Sequence, residues 1–512
     1  MTSSSICIMI AMVGYLALVI YIGFRNSKKN ETSADFYLGG RKLGPYVTAM
    51  SAEASDMSSY LLMGLPGLAY LSGLADVGWT IIGLAIGTYL NWLFTARKLR
   101  RYSQITNSYT LPQFFSNRYR DKKCILTFIS AIIIIVFFIP YTGSGFAACG
   151  KLFNSLFGIN YHLAMIICAM AIILYTTAGG FTAASTTDFI QSIVMSAALI
   201  VVLVFAVVQA GGIGAVIENA QSLDGYLSLV ETYSETTGEA SDYGALTIIA
   251  TLSWGLGYFG MPHILLRFMA IEDERKLKIS RRVASVWVVI AMSIAVLIGF
   301  TGNALGRQGI ITALSGSDTE TVIVAIASYL SEFGIIPAII AGIVLAGILA
   351  STMSTADSQL LAASSSVSEN LLKETFHIKI SEKANMRFAR LTVIVIAIFG
   401  VIIAWNPDSS IFNIVSFAWA GFGATFGPTM ILALFWRRST LPGAIAGLLS
   451  GGVMVFVWEY ILTPLGGIFD IYELLPAFIV GIAVNIIVSL ATKKPSDEIT
   501  SEFDLAKSHE AI

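Results

Sequence analysis

Apolar residues in this chain gather into long blocks, not into the two-residue alternation of a half-buried strand, and about 20 such residues make a helix that crosses a bilayer. Thirteen blocks stand near residues 6–24, 45–71, 77–96, 124–150, 161–178, 187–209, 244–270, 283–305, 335–366, 388–405, 411–435, 442–462 and 473–491. Each is predicted to be a helix, because a spanning segment must satisfy its own backbone hydrogen bonds. Two blocks interrupt their own pattern. The second carries Ser51-Ala-Glu-Ala-Ser-Asp-Met-Ser-Ser-Tyr60, then Gly64, Pro66 and Gly67; the seventh carries Ser253-Trp-Gly-Leu-Gly-Tyr-Phe-Gly-Met-Pro-His263.

A helix broken at membrane depth is tolerated only where its freed carbonyls line protein or a cavity. Two such breaks five spans apart point to two inverted five-helix units with a transport site at their interface. The polar stretches between blocks set the orientation. All but Lys151 and Arg307 of the 31 basic residues fall in loops on one side if thirteen spans are counted. The acidic stretch 211–243 has no Lys or Arg and lies opposite. Basic loops face the cytoplasm, so the N-terminus is expected outside and the C-terminus inside.

Composition narrows the class. Hydrophobic residues make up 56% and charged residues 12%, against about a quarter charged in soluble domains, so the chain is a polytopic membrane protein. A net charge of −1 gives no sign of nucleic-acid binding. Cys7, Cys124, Cys149 and Cys168 lie in or beside apolar blocks without metal-ligand spacing and are expected to be small core residues. No basic stretch precedes the first block, which is expected as a mature helix and not a cleavable leader. No Gly-x-x-x-x-Gly-Lys-Ser/Thr loop is present to bind nucleotide phosphates. His162, His263, His377 and His509 are scattered, which argues against an intramembrane enzyme, and no signalling domain accompanies the spans as a sensor would require. A sodium-leak channel is the remaining reading from another class.

The candidate chemistry sits at the second block. A carboxylate in the bilayer centre costs roughly 2.5–3.5 kcal/mol, so Glu53 and Asp56 are expected to face a polar cavity or a cation. In the ninth block, Ser351, Ser354, Thr355 and Ser358 share one helix face. Hydroxyls with unwound carbonyls suit a desolvated sodium ion. Taken alone, membrane serines and threonines equally bond their own backbone, and only the coincidence with Asp56 favours the ion. Asp357 lies close by in the same block.

The runs Leu38-Gly-Gly-Arg-Lys-Leu-Gly-Pro45, Ser55-Asp-Met-Ser58, Trp254-Gly-Leu-Gly-Tyr-Phe-Gly260, Met353-Ser-Thr355 and Ala418-Trp-Ala-Gly-Phe-Gly423 resemble the sodium:solute symporter family, from about Ala34 to Ala491. The resemblance implies an all-α fold of about 13 transmembrane helices, with a leucine-transporter-type inverted repeat in spans 2–6 and 7–11 and discontinuous helices 2 and 7. Residues 1–492 are then one transporter domain, with core repeats near 45–209 and 244–435, and 493–512 a flexible cytoplasmic tail. The implied activity is sodium-coupled import of a small amino acid, L-proline first, in the cell membrane. Another amino acid, a small carboxylate such as pantothenate, or proton coupling are the alternatives. The implied partners are that solute, sodium and lipid, with no cofactor, no nucleic acid and no obligate protein partner.

By the same resemblance, sodium takes the backbone oxygens of Ala54, Met57 and Ser351 and the side chains of Ser354 and Thr355, with Asp56 governing its affinity. Ser58, Tyr60, Tyr141, Trp254, Tyr258 and Pro262 form the solute pocket, whose aromatic faces suit a secondary ammonium. Arg41 and Asp188 match coupling positions; as residues they also read as a topology anchor and a helix N-terminal acid. Glu53, Ser59, Tyr60 and Met261 stand where the family usually has glycine, glycine, tryptophan and glutamine.

Overall fold

Every one of the thirteen apolar blocks is helical in the computed structural model, which describes residues 3–27, 33–379 and 381–507. Among the described residues nine helices are long and apolar enough to cross a membrane, or ten if the bent pair Ala245–Phe259 and Pro262–Ala270 counts as one span. Lys28, Lys29 and His509 lie outside the described residues.

Helix Ile335–Ser365 sits at the centre, buried along almost its whole length from Ala341 to Ser365. Helices Ser3–Ser27, Pro45–Ser59, Ile125–Phe157 and Tyr161–Gln209 pack around it. The fifth and sixth blocks run on as the single element Tyr161–Gln209, which breaks at Gly180 (φ 67°, ψ −175°), a backbone region that glycine reaches without a Cβ penalty.

The first interrupted helix starts with Pro45 at its first position, where a missing N–H costs nothing. It leaves helical geometry at Ser58 (φ 42°, ψ −164°), strain of about 1–3 kcal/mol for a residue with a Cβ. A wide turn, Tyr60–Gly64, and a short helix, Leu65–Ser72, complete the crossing. In the second, Ala245–Leu252 passes into a tighter coil, Ser253–Phe259, before Pro262–Ala270 restarts at an angle of 44°. Glycine permits the close seating of that coil: a Cβ on Gly255 would stand 2.1 Å from the Gly83 carbonyl oxygen.

Two polar stretches carry structure of their own. In the acidic stretch 211–243, Ile213–Gln221 is a helix and Glu231–Tyr233 pairs antiparallel with Ala240–Asp242, a two-stranded addition to a mostly helical chain. The tail is ordered over one helix. Asp497–Lys507 is a helix with Phe503 and Ala506 buried. It docks because the buried Arg118 guanidinium lies 5.2 Å from the Phe503 ring centre, Arg437 pairs with Asp504 at 2.9 Å, and Arg120 meets Glu498 and Glu502.

Candidate ion and solute site

The serine face of the central helix and the first interrupted helix are in contact. Ser354 Oγ donates to the Ala54 carbonyl at 2.7 Å and to the Ser351 carbonyl at 3.1 Å, so the serine face of the central helix touches the first interrupted helix one turn before its break. Thr355 Oγ1 is buried with no protein partner. The Met57 carbonyl accepts from the Tyr60 N–H across the break. Ala54, Met57, Ser351, Ser354 and Thr355 are therefore gathered at one helix crossing, offering hydroxyl and carbonyl oxygens of the kind a hard cation takes. Asp56 is two residues from Ala54, about 200° around the helix. Its Oδ2 accepts from the Tyr258 hydroxyl at 2.7 Å and its carbonyl accepts from Tyr141 at 3.1 Å. Its carboxylate thus faces the second interrupted helix and not the serines.

Asp56, Met57, Tyr60, Tyr141 and Trp254 line a central cavity together with Leu84, Met292, Val415 and Trp419. The cavity is only about 10 Å³, the space of a single water. Aromatic stacking closes it: Tyr60 on Trp254 (5.6 Å), and Trp254 on Tyr472 (4.9 Å). Ser58 lies on an adjoining wall with Tyr141, Thr142 and Thr355. Tyr258 reaches the site through Asp56, while Pro262 starts the helix below and does not line the cavity.

Trp419, Tyr472 and Phe412, the last packed against Tyr60 (5.7 Å) and Trp254 (5.6 Å), are aromatic residues around this site that the sequence reasoning missed. Trp419 was marked by its motif 418–423: its Nε1 donates to the Trp254 carbonyl at 2.8 Å, and a Cβ on Gly257 would sit 1.9 Å from that nitrogen. Nothing in the sequence singles out Tyr472.

Arg41 and Asp188 lie elsewhere. Arg41 bonds Ser103 Oγ (3.1 Å) and the carbonyls of Ser103 (3.1 Å), Ser108 (2.7 Å) and Met269 (2.7 Å). Burial, helped by nearby Arg100, lowers its pKa to about 10, so it stays charged near neutrality. Beside it Leu43 exchanges backbone bonds with Ala270 and Glu272 (3.2 and 3.0 Å), and Arg101 pairs with Glu274 at 2.5 Å. These contacts tie the segment before the first interrupted helix to the end of the second. Asp188 is buried against Arg267 (3.2 Å) and accepts from Ser51 Oγ (2.7 Å). Arg267 also reaches Ser51 Oγ, Ser358 Oγ and the His263 carbonyl. Sequence counting placed Arg267 with the cytoplasmic loop residues; it is instead 1% exposed within the bundle.

Comparison with known proteins agrees with this architecture. The family model for the sodium:solute symporter family matches residues 36–451. The sodium/proline symporter of Staphylococcus aureus (strain USA300 / TCH1516) is 40% identical over 99% of this chain and 96% of its own length, and that of strain JH9 matches equally. Among solved structures, a Na+-coupled sialic acid symporter in a substrate-bound outward-open state superposes with a TM-score of 0.77 at 18% identity, covering 96% of this chain and 99% of its own. MhsT, solved in complex with L-phenylalanine, gives 0.53 at 12% identity, covering 88% and 99%. At these identities the likeness to both is one of fold. The chain belongs to the sodium:solute symporter family and is a multi-pass, sodium-coupled solute symporter, a transporter and not an enzyme.

Proposed function

We propose that the protein imports L-proline with sodium by alternating access. The observation that carries this reading is the contact of Ser354 with Ala54 beside the break at Ser58, next to a cavity walled by Asp56, Tyr60, Tyr141 and Trp254. The 40% identical sodium/proline symporter supports the solute. Sodium is held by the carbonyls of Ala54, Met57 and Ser351 and by Ser354 and Thr355 side chains, with Asp56 supplying negative charge. Proline takes the space that opens when the Tyr60–Trp254–Tyr472 stack parts. Its secondary ammonium meets aromatic faces, and its carboxylate meets the backbone and hydroxyl of Ser58 at the break; Tyr258 positions Asp56, and Pro262 fixes the restart of the second interrupted helix. Arg41 holds the inner closure, and Asp188 with Arg267 ties the interrupted helices to the scaffold. Thirteen spans, one transporter domain over residues 1–492, an outer N-terminus and a cytoplasmic C-terminus complete the arrangement.

The test is radiolabelled proline uptake into proteoliposomes with and without an inward sodium gradient. Uphill accumulation that requires sodium and is lost in Ser354→Ala and Asp56→Asn supports both parts. Sodium-dependent uptake of another small amino acid or of pantothenate, with none of proline, would leave the ion site and overturn the solute; Tyr60 and Met261 are the positions to which that result would point.

A further inference from the structure

A buried charge without an acceptor lies at the basic-loop face, under the tail helix. Arg118 stands in the last turn of the short helix Leu111–Tyr119 and is 0% exposed. Its Nε donates to the Ala433 carbonyl at 3.0 Å, which fixes the guanidinium, while Nη1 and Nη2 have no acceptor among the described residues. The ring centres of Tyr119, Phe503 and Tyr102 lie 5.0, 5.2 and 5.5 Å from its central carbon. Ring faces offset the charge, but they bring no oxygen to the two amino groups. The residues on either side of Phe503 carry carboxylates held by neighbouring arginines, Glu502 by Arg120 and Asp504 by Arg437. Three consecutive tail residues thus cover three guanidiniums, two with an acid and the third with a ring.

Buried donors call for an acceptor. Nη1 and Nη2 belong to one planar group, so they converge without help from a second residue. Such a fork matches the oxygens of a carboxylate or phosphate bidentately. Depth favours the phosphate of a lipid. Ala433 lies two residues before the end of the span Ile411–Phe435, and Lys98 Nζ rests 3.7 Å over the ring of Phe435, which is itself exposed. A lysine stretched over an exposed aromatic ring at a helix end marks the headgroup level of a bilayer.

We propose that Arg118, Arg120 and Arg437 form a site for the phosphate group of an anionic phospholipid, and that the tail helix Asp497–Lys507 is its displaceable lid. With the helix docked, Glu502 and Asp504 stand in for the lipid at the two outer arginines. With the helix lifted, those two lose their carboxylates and Arg118 loses the ring that covers it, so all three turn to the headgroup. Neither the ion nor the solute assigned above enters this inference.

The test uses the full chain with Cys7, Cys124, Cys149 and Cys168 replaced and Ala506→Cys added, because Ala506 is buried while the helix is docked. Alkylation by a maleimide is followed in nanodiscs, which expose both faces. Phosphatidylglycerol mixed into phosphatidylcholine should speed the reaction at least about fivefold over phosphatidylcholine alone, the effect of a single arginine at an anionic surface. Arg118→Gln should react at one rate in both lipids. Native mass spectrometry in detergent gives the second readout: Phe503→Ala, which uncovers Arg118, should retain more phosphatidylglycerol than the wild type, and Arg118→Gln less. Phe503→Ala leaves the arginines in place, so it decides the matter if Arg118→Gln fails to fold. Equal wild-type rates in the two lipids, a lipid dependence that survives in Arg118→Gln, or unchanged lipid retention in Phe503→Ala overturns the site. Acceleration by inorganic phosphate in pure phosphatidylcholine, with none from phosphatidylglycerol, overturns the lipid as its occupant.

Discussion

Arg41→Ala should unlatch the inner face. The guanidinium bridges two bodies: Ser103 and Ser108 at the inner end of the third block, and Met269 at the end of the helix Pro262–Ala270. Hydrogen bonds from a charged donor contribute about 1.5–3 kcal/mol each. Of the Arg41 bonds only the one to Met269 reaches the second interrupted helix, while the two Leu43 backbone bonds, to Ala270 and Glu272, remain after substitution. The net shift toward the open inner face is therefore about 2 kcal/mol, roughly a 30-fold change in the ratio of open to closed. Ser365, buried beside Arg267, Leu361 and Tyr37, reports on it. In a background where Cys7, Cys124, Cys149 and Cys168 are replaced, Ser365→Cys should react with an impermeant maleimide from the cytoplasmic side about 30 times faster when Arg41→Ala is added. Arg41→Lys should lie between, since one ammonium cannot reach four acceptors in fork geometry. An unchanged alkylation rate would refute the latch, whatever happens to uptake.

Other outcomes follow from single contacts. Asp188→Asn removes the ion-pair partner of the buried Arg267 and leaves Asp357 as the remaining acid acting on it, a loss of at most about 3–5 kcal/mol; the melting temperature in detergent should drop, and Asp188→Leu with Arg267→Met should recover most of it. Gly257→Ala drives a methyl into the Trp419 indole and should abolish proline uptake, while surface expression measured by blotting is retained at a lower level. Phe503→Ala should free the tail helix to protease, because it removes a ring that is 7% exposed, whereas Asp504→Asn should not, because the exposed pair with Arg437 contributes about 0–1 kcal/mol; equal cleavage of both variants would reverse that ranking.

What the sequence made legible was covalent or periodic. Runs of apolar residues mark helices because the bilayer demands length, and Gly, Pro and a serine–acid cluster mark the two interruptions because they weaken a helix where nothing else would. Helical spacing put Ser351, Ser354, Thr355 and Ser358 on one face, while the meeting of that face with the first break was implied by the family resemblance. Three features were hidden for physical reasons. Arg267 ends an apolar run, and counting loop charges cannot separate a residue that anchors topology from one that pairs inside the bundle; only Asp188, 79 positions away, decides it. The tail helix is held by Arg118, Arg120 and Arg437, three residues that the sequence shows only as inner-loop charge. Tyr472 precedes the last block as an ordinary aromatic and is tied to the cavity only by its stack on Trp254.

Glu53 reads differently in space than in sequence. By spacing it is a second acid one turn from Asp56, a repulsion that a proton, a basic partner or turning away would relieve. In the fold the Trp92 indole donates to one Glu53 oxygen and the Tyr258 hydroxyl to one Asp56 oxygen, and among the described residues no basic side chain is bonded to either acid. Indole and phenol donors can bond a carboxyl oxygen whether or not the group carries its proton, so the pair is positioned by neutral partners and not by a counter-charge.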